Sequence, residues 1–373
     1  MNADYRQLVT RCRQATFDPM GVVTAWKARN PNGKAIGFFP TYVPLEPIYA
    51  MGGLPAGLWG GDIPMGLADA YIQQFTCSIV RSLTEYALSG RLAKLDAVLI
   101  PPICDSVKLV GSIWQLNFSD RFLVDMANLP QRLDSPSAVP YLAAELRRVS
   151  ECLAGAPATE SALASAAKLC NRLRKAQQAF CDWRANRAIP LAEASMILRA
   201  GTILHAEEYC PLVEEAIADG TPEAAPRGIP VVVSGLSCQL PHPQVMECFE
   251  EVGLRVVEDD LFLGLRGGAL VPDDGDAYAA IAGAYCDSAP MAIRHAEGEQ
   301  RHERLLDQID RTGAKGIVYM VPKFCEPEWF DLRYLREETN RRGIPSIVID
   351  FEEGHGATGP VQTRLAAFAE TLE

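Results

Sequence analysis

The sequence predicts an α/β fold with two tandem Rossmann-like parallel-sheet domains and a helical insert between them. Short runs rich in valine and isoleucine alternate with helical segments, which is typical of parallel strands covered on both faces of a sheet. This alternation occurs twice, and the stretch between the two occurrences has an almost purely helical pattern. The chain therefore divides into an N-terminal helical segment (1–33), a first α/β domain (34–135), the helical insert (136–225) and a second α/β domain (226–373).

Four strands are predicted in the first domain. They are AIGFF (35–39), LPAGLW (54–59), DAVLIP (96–101) and RFLVDM (121–126). A short helix separates the first two strands. A long amphipathic helix is predicted from Pro64 to Gly90, because apolar residues recur at intervals of three and four. Another helix precedes the fourth strand, and Asp105 is its expected N-cap.

The second domain repeats this order of elements. Its predicted strands are IPVVVS (229–234), LRVVED (254–259), GIVYM (316–320) and IPSIVID (344–350). Helical sequences connect them, so right-handed crossovers between parallel strands are expected in both domains.

Composition restricts the classes of function. The formal net charge of −12 argues against a nucleic-acid partner, because phosphate binding requires a basic face. The start of the chain has no basic segment followed by an apolar stretch, and no run of 18 apolar residues occurs later, so a cytoplasmic protein without membrane spans is expected. Eleven cysteines in a reducing compartment are expected to be free thiols, most of them buried.

One cysteine motif appears twice. The pattern P-x-x-C-acid follows the third predicted strand of each domain, at residues 101–105 and 322–326. Ligands of open α/β sheets bind in the crevice outside the carboxyl ends of the strands, so Cys104 and Cys325 are expected to face one cleft. Each sulfur would lie at a helix N-terminus, where the thiolate is favoured.

A single cysteine of this kind is usually a small buried core residue, but the duplication favours a shared metal site. A closed zinc site commonly uses C-x-x-C pairs, and none occurs here. The best candidate for a third thiolate is Cys77, on the long helix predicted before the third strand, and its rival is Cys238. Three thiolates would suit an iron–sulfur cluster that has one iron free of cysteine.

Several stretches carry a family resemblance that runs over nearly the whole chain. Among them are YVPLEPIYAMGGLPAGLWGGD (42–62), DAYIQQFTCSIVRS (69–82), LIPPICD (99–105), SGLSCQLPHP (234–243) and GIVYMVPKFCEP (316–327). Together they resemble the superfamily of 2-hydroxyacyl-CoA dehydratases and ATP-dependent benzoyl-CoA reductases. The first two are most similar to the smaller, cluster-bearing gamma subunit of benzoyl-CoA reductases.

The resemblance implies a [4Fe-4S] cluster held by Cys77, Cys104 and Cys325. It also implies a hetero-oligomeric oxidoreductase with a paralogous cluster-bearing subunit, separate ATP-hydrolysing activator subunits and an aromatic acyl-CoA substrate. The chain itself has no G-x-x-x-x-G-K-[ST] motif for binding ATP. Two alternatives stay open: a 2-hydroxyacyl-CoA dehydratase subunit, and a non-catalytic subunit that relays electrons or docks the activator.

Reduction of an aromatic ring also requires proton donors close to the ring. Glu46 and Tyr42 follow the first strand, where the cleft is expected, and we predict them as catalytic residues. An acid in the first turn of a helix and an ordinary turn aromatic are the simpler interpretations of these two positions. Of the five histidines, His242 is the one expected near the cleft.

Overall fold

The computed structural model describes residues 3–40, 42–185, 187–218, 227–235, 239–261, 268–288, 291–295, 301–352, 356 and 358–373. Within them are two four-stranded sheets, and every strand pair is parallel. This confirms the predicted fold class. Cys238, the rival third thiolate, lies outside the described residues.

The two sheets have the same topology. The first contains β1 (Ala35–Phe38), β2 (Leu54–Gly57), β3 (Ala97–Ile100) and β4 (Leu123–Met126), in the order β2-β1-β3-β4. The second contains β5 (Ile229–Gly235), β6 (Leu254–Asp259), β7 (Gly316–Pro322) and β8 (Ser346–Phe351), in the order β6-β5-β7-β8. In each half, the second strand therefore lies on one side of the first strand, and the third strand lies on its other side.

Fourteen α-helices surround the sheets in the described residues. Those before and within the first half are α1 (Ala3–Phe17), α2 (Pro19–Arg29), α3 (Glu46–Ala50), α4 (Ser78–Leu88) and α5 (Asp105–Phe118). The part of the sequence between β4 and β5 forms α6 (Ala138–Ala154), α7 (Glu160–Arg184), α8 (Leu191–Ala200) and α9 (Ala206–Ala218). The second half has α10 (Pro243–Glu251), α11 (Ala277–Cys286), α12 (Arg301–Thr312), α13 (Glu326–Arg341) and α14 (Gly359–Leu372). None of these helices is long and apolar enough to cross a membrane.

Both faces of each sheet are buried, because successive side chains of a strand point to opposite faces. In the second sheet Val231 and Val233 belong to the core shared with α7 to α10. Val232, between them, packs with residues of α12 and α13. This two-sided burial explains why the strands read as continuous apolar runs rather than as alternating patterns.

The prediction of one long helix from Pro64 to Gly90 is wrong for the first half of that segment. The α-helix begins only at Ser78, and a single 3₁₀ turn at Ala68–Ala70 precedes it. The carboxylate of Glu85 accepts hydrogen bonds from the backbone N–H groups of Gly66 (3.1 Å) and Ala68 (2.8 Å). These side-chain contacts hold the segment as a loop against α4 instead of extending the helix.

Candidate functional site

Three helices begin at cysteines that line one cavity. Cys77 is the N-cap of α4, Cys104 the N-cap of α5 and Cys325 the N-cap of α13. All three line a cavity of about 280 Å³. The first half supplies two of the thiols and the second half supplies the third, so the cavity lies between the halves. The structure thus brings together the three cysteines that the sequence singled out.

The ends of the strands explain these positions. Cys104 follows β3 and Cys325 follows β7, and each of these strands lies beside the first strand of its sheet. The direction of the crossovers changes between those two neighbouring strands, which is where open α/β sheets form ligand crevices. The predicted N-cap is wrong by one position: Cys104 takes it, and Asp105 occupies the first turn, where the helix dipole favours a negative charge.

The cavity is a costly environment for free thiolates. Burial raises the pKa of Cys104, whereas the backbone N–H groups of Val107 and Ser106 act against this shift without making a capping hydrogen bond. Burial also raises the pKa of Cys325 well above its usual range, and the Glu328 carboxylate and the other two thiols raise it further. The thiolate forms of Cys104 and Cys325 at this site therefore depend on a nearby positive charge.

The donor set suits a cluster better than a single metal ion. Within the part of the chain that the structure describes, no group of three or more His, Cys, Asp or Glu side chains is placed to hold one ion. A four-iron cluster makes a different demand, because each of its thiolates binds a different iron atom. Three cysteines that line one cavity would each bind one iron of such a cluster, and the fourth iron would have no cysteine.

The remaining cavity wall is mostly apolar, with a few polar side chains. Phe39, Ile103, Ile293 and Phe330 are among its apolar residues. Gln239, another wall residue, accepts a hydrogen bond from the Ser78 hydroxyl at 3.1 Å. The thiols therefore have both apolar side chains and fixed polar groups as neighbours.

His295 lines the cavity, and the sequence analysis did not identify it. Its backbone N–H donates to the Gln131 carbonyl (2.9 Å), and its carbonyl accepts from Leu133 (2.8 Å). This pairing with a segment far away in the sequence brings His295 to the site, and no local motif indicates it. The expectation that His242 is the one histidine near the cleft is wrong, because His295 lines the cavity. His242 caps α10 by accepting from the Gln244 backbone N–H at 3.3 Å and is not among the cavity-lining residues.

Two non-glycine residues near the site have left-handed backbone conformations. They are Tyr42 (φ 51°) and Phe324 (φ 62°). Phe324 lines the cavity and directly precedes Cys325. Bulky side chains rarely adopt this conformation, and such strain is commonly retained at functional sites.

Tyr42 packs beside the cavity. Its ring belongs to a small apolar cluster with Cys325, Met291 and Ile293. The Arg294 guanidinium lies 4.4 Å from the centre of the ring. Tyr42 is only 2% exposed, so its phenol lies next to the thiol site but away from solvent.

Glu46 is fully buried in a different environment from the three cavity cysteines. Its carboxylate accepts from Arg174 Nη2 at 2.6 Å and from the Tyr285 hydroxyl at 3.3 Å. It is not among the residues that line the cysteine cavity. The structure therefore places Glu46 in a buried ion pair, and its catalytic role stays a prediction.

We expect Glu46→Ala to lower the free energy of unfolding by about 3–5 kcal/mol, because it leaves Arg174 buried without its carboxylate. Chemical denaturation measures this change. The matched control is Glu208→Ala, which breaks the more exposed pair with Arg11 (2.6 Å) and should cost no more than about 1 kcal/mol. Equal small losses for the two variants would contradict a structural role for the Glu46 pair.

Comparison with known proteins gives one consistent family. Residues 40–372 match the family model described as 2-hydroxyglutaryl-CoA dehydratase, D-component. The chain is 27% identical to a benzoyl-CoA reductase subunit of Thauera aromatica, over 98% of each chain. It is 26% identical to (R)-2-hydroxyglutaryl-CoA dehydratase subunit beta of Acidaminococcus fermentans, over 98% of this chain and 99% of that one. Lactoyl-CoA dehydratase subunit beta of Anaerotignum propionicum is also 26% identical, over 98% of each chain.

The chain therefore belongs to the 2-hydroxyglutaryl-CoA dehydratase D-component family, which includes subunits of benzoyl-CoA reductase and of 2-hydroxyacyl-CoA dehydratases.

Proposed function

We propose that this chain is the iron–sulfur subunit of an ATP-dependent benzoyl-CoA reductase and delivers low-potential electrons to the ring of an aromatic acyl-CoA. The observation that carries the proposal is the convergence of three helix-capping cysteines on one cavity. Full-length similarity to the benzoyl-CoA reductase subunit of Thauera aromatica supports the choice of reaction.

In this proposal Cys77, Cys104 and Cys325 hold a [4Fe-4S] cluster. When bound, such a cluster supplies single electrons at low potential. The helix N-termini favour the three thiolates, because the positive end of each helix dipole lies at its cysteine. Apolar wall residues such as Phe39 and Ile103 reduce the contact of the site with water, and a partner subunit that covers its mouth would protect a strongly reducing centre further.

We propose Tyr42 as the proton donor and Glu46 as its support. Tyr42, Arg174 and Tyr285 line a second, smaller cavity of about 30 Å³, which has room for about one water molecule. Arg174 and Tyr285 are also the two side chains that bind Glu46. In this proposal a water in the small cavity relays a solvent proton to replace the one that the Tyr42 phenol gives to the ring, and the ionised Glu46 holds Arg174 and Tyr285 in place around that water.

Two kinds of partner complete the proposed enzyme: a paralogous cluster-bearing subunit and separate ATP-hydrolysing activator subunits. Relatives of the chain are named as subunits, and the chain lacks the common phosphate-binding loop of ATPases. Phe330 and Phe324, at the cysteine cavity, are 75% and 48% exposed. Large apolar side chains exposed at a site are commonly covered by another subunit.

The main test measures how many electrons are consumed for each molecule of product. The complex with its activator is supplied with ATP, a reductant and either benzoyl-CoA or a 2-hydroxyacyl-CoA. We expect benzoyl-CoA to be reduced with electrons consumed in proportion to product. Water loss from a 2-hydroxyacyl-CoA with only catalytic amounts of electrons would instead show that the complex is a dehydratase. This is the alternative function, because the matching family model and several relatives are named as dehydratase components.

A further test separates a catalytic subunit from an electron relay. Photo-crosslinking with an acyl-CoA analogue is carried out on the whole complex. Labelling of this chain supports the proposal that it encloses the substrate. Labelling confined to its partner assigns this chain to electron delivery alone.

A further inference from the structure

Arg294 is a buried cation that has no carboxylate partner among the residues that the structure describes. It is 3% exposed, and its Nη2 donates to the carbonyl of Tyr285. Its guanidinium stacks on the ring of Tyr42 at 4.4 Å. Two further nitrogen atoms, Nε and Nη1, are buried and have no hydrogen-bond partner within the described parts of the chain. No carboxylate in the described part of the chain forms an ion pair with Arg294.

The other buried arginines differ in this respect. Four arginines are buried among the described residues, and three of them bind carboxylates. These pairs are Arg174 with Glu46, Arg184 with Asp259, and Arg301 with Asp260. An unpaired buried charge is costly, so a fold that retains one is expected to bring a counter-charge from outside the polypeptide.

The position of Arg294 indicates where that counter-charge lies. Its neighbours Ile293 and His295 line the cysteine cavity. Tyr42, on which it stacks, packs in the same apolar cluster as Cys325. Arg294 itself is not among the lining residues, so it stands behind the wall of the cavity. From there its charge acts through a medium of low dielectric, in which Coulomb interactions are strong.

Negative charges near Cys325 increase the stabilisation that a nearby positive charge provides. Glu328, in the first turn of α13, shares Arg301 with Asp260 and Asp331, so one arginine faces three carboxylates. The three cysteines add negative charge when they are thiolates. Reduction of a bound centre adds one more negative charge to the site.

We propose that Arg294 is the buried counter-charge of the cofactor held by Cys77, Cys104 and Cys325, and that it favours the reduced form of this cofactor. The inference rests on the proposed function. Arg294 is a positioning residue, since its field acts across the Tyr42 ring and it does not touch the thiols or the substrate. Its effect is therefore expected on the reduction potential and on cofactor retention.

The first measurement is a redox titration of the cluster-loaded complex, followed by electron paramagnetic resonance. We expect Arg294→Met to shift the midpoint potential to more negative values, because the reduced form loses its nearby positive charge. Arg294→Lys keeps the charge and should restore most of the potential, which a purely steric role would not predict. Arg333→Met, which removes a charge from a side chain that is 78% exposed, should leave the potential unchanged.

The second measurement is the melting temperature of the chain without iron. Methionine has a similar length and no charge, so Arg294→Met should raise the melting temperature of the iron-free protein. It should also reduce the gain in melting temperature on cluster loading. Arg294→Gln serves the same comparison if the methionine variant does not fold.

The outcomes are distinct. An unchanged potential in Arg294→Met, or a lower melting temperature of its iron-free form, would overturn the role of Arg294 while leaving the cluster in place. Failure of the wild-type complex to bind any iron would overturn the proposed function, and the inference with it.

Discussion

Replacing Cys77, Cys104 or Cys325 by alanine, one at a time, is expected to remove most of the iron and sulfide bound by the chain. Each variant removes one of three thiolate ligands, and thiolate is the ligand that iron–sulfur clusters mainly use, so the imidazole and carboxylate groups of the cavity are poor replacements. Iron and sulfide analysis with Mössbauer spectra, after anaerobic purification, measures the loss. Activity with an acyl-CoA substrate should fall in the same proportion.

Two control variants test whether the loss of iron is specific to the three cavity cysteines. Cys152→Ala changes a half-buried cysteine on α6 that does not line the cavity, and it should keep the iron of the wild type. Cys238→Ala tests the rival position left open by the sequence and should also keep its iron. Loss of iron in Cys238→Ala with retention in Cys77→Ala would assign the third ligand to Cys238 instead of Cys77.

We expect Arg301→Met to lower the free energy of unfolding by about 3–5 kcal/mol, because it leaves buried carboxylates without their cation. Arg301 Nε donates to Asp260 at 3.0 Å, and Nη1 donates to Glu328 at 3.0 Å. Nη2 donates to the Gly235 carbonyl at 2.8 Å. One guanidinium therefore joins the ends of β5 and β6 to the helix that begins at Cys325.

The penalty of Arg301→Met should grow as the pH rises. Burial raises the pKa of Asp260 and of Glu328 above their ordinary values, so the native state binds protons there that the unfolded chain has released. The stability from these groups is full below the unfolded pKa and is lost as the pH rises through the native pKa. Arg301 lowers both pKa values, so its removal makes that loss steeper and extends it to higher pH.

Chemical denaturation at about pH 5 and about pH 8 tests this dependence. The control is Arg333→Met, which removes the exposed partner of Glu337 and should cost no more than about 1 kcal/mol at either pH. A penalty for Arg301→Met that is small, or that shrinks toward alkaline pH, would contradict the assignment of Arg301 as the cation of this network.

The sequence predicted the sheets well because their signal is local. Strands such as β5 and β7 are continuous runs of valine and isoleucine, and burial on both faces requires that composition. Cys104 and Cys325 were identified for the same reason, since a proline and an acid at fixed spacing mark the end of a strand and the start of a helix.

Features that depend on distant contacts were missed. The apolar residues before Cys77 have helical spacing, but Glu85 binds their backbone and holds a loop. His295 reaches the cavity through a backbone pairing with residues more than 150 positions earlier, and the Glu46 carboxylate meets Arg174 only after folding. Such contacts follow from the packed arrangement of the halves, which no window of sequence contains.

The identical strand order of the two sheets has an evolutionary consequence. A half-length ancestor with four strands and one cysteine after its third strand would have placed two thiols opposite each other by pairing with a copy of itself. Gene duplication and fusion would then free each half to diverge. Cys104 and Cys325 occupy matching places in such a scheme, each as the N-cap of the helix after the third strand, whereas Cys77 caps the helix between the second and third strands of the first half.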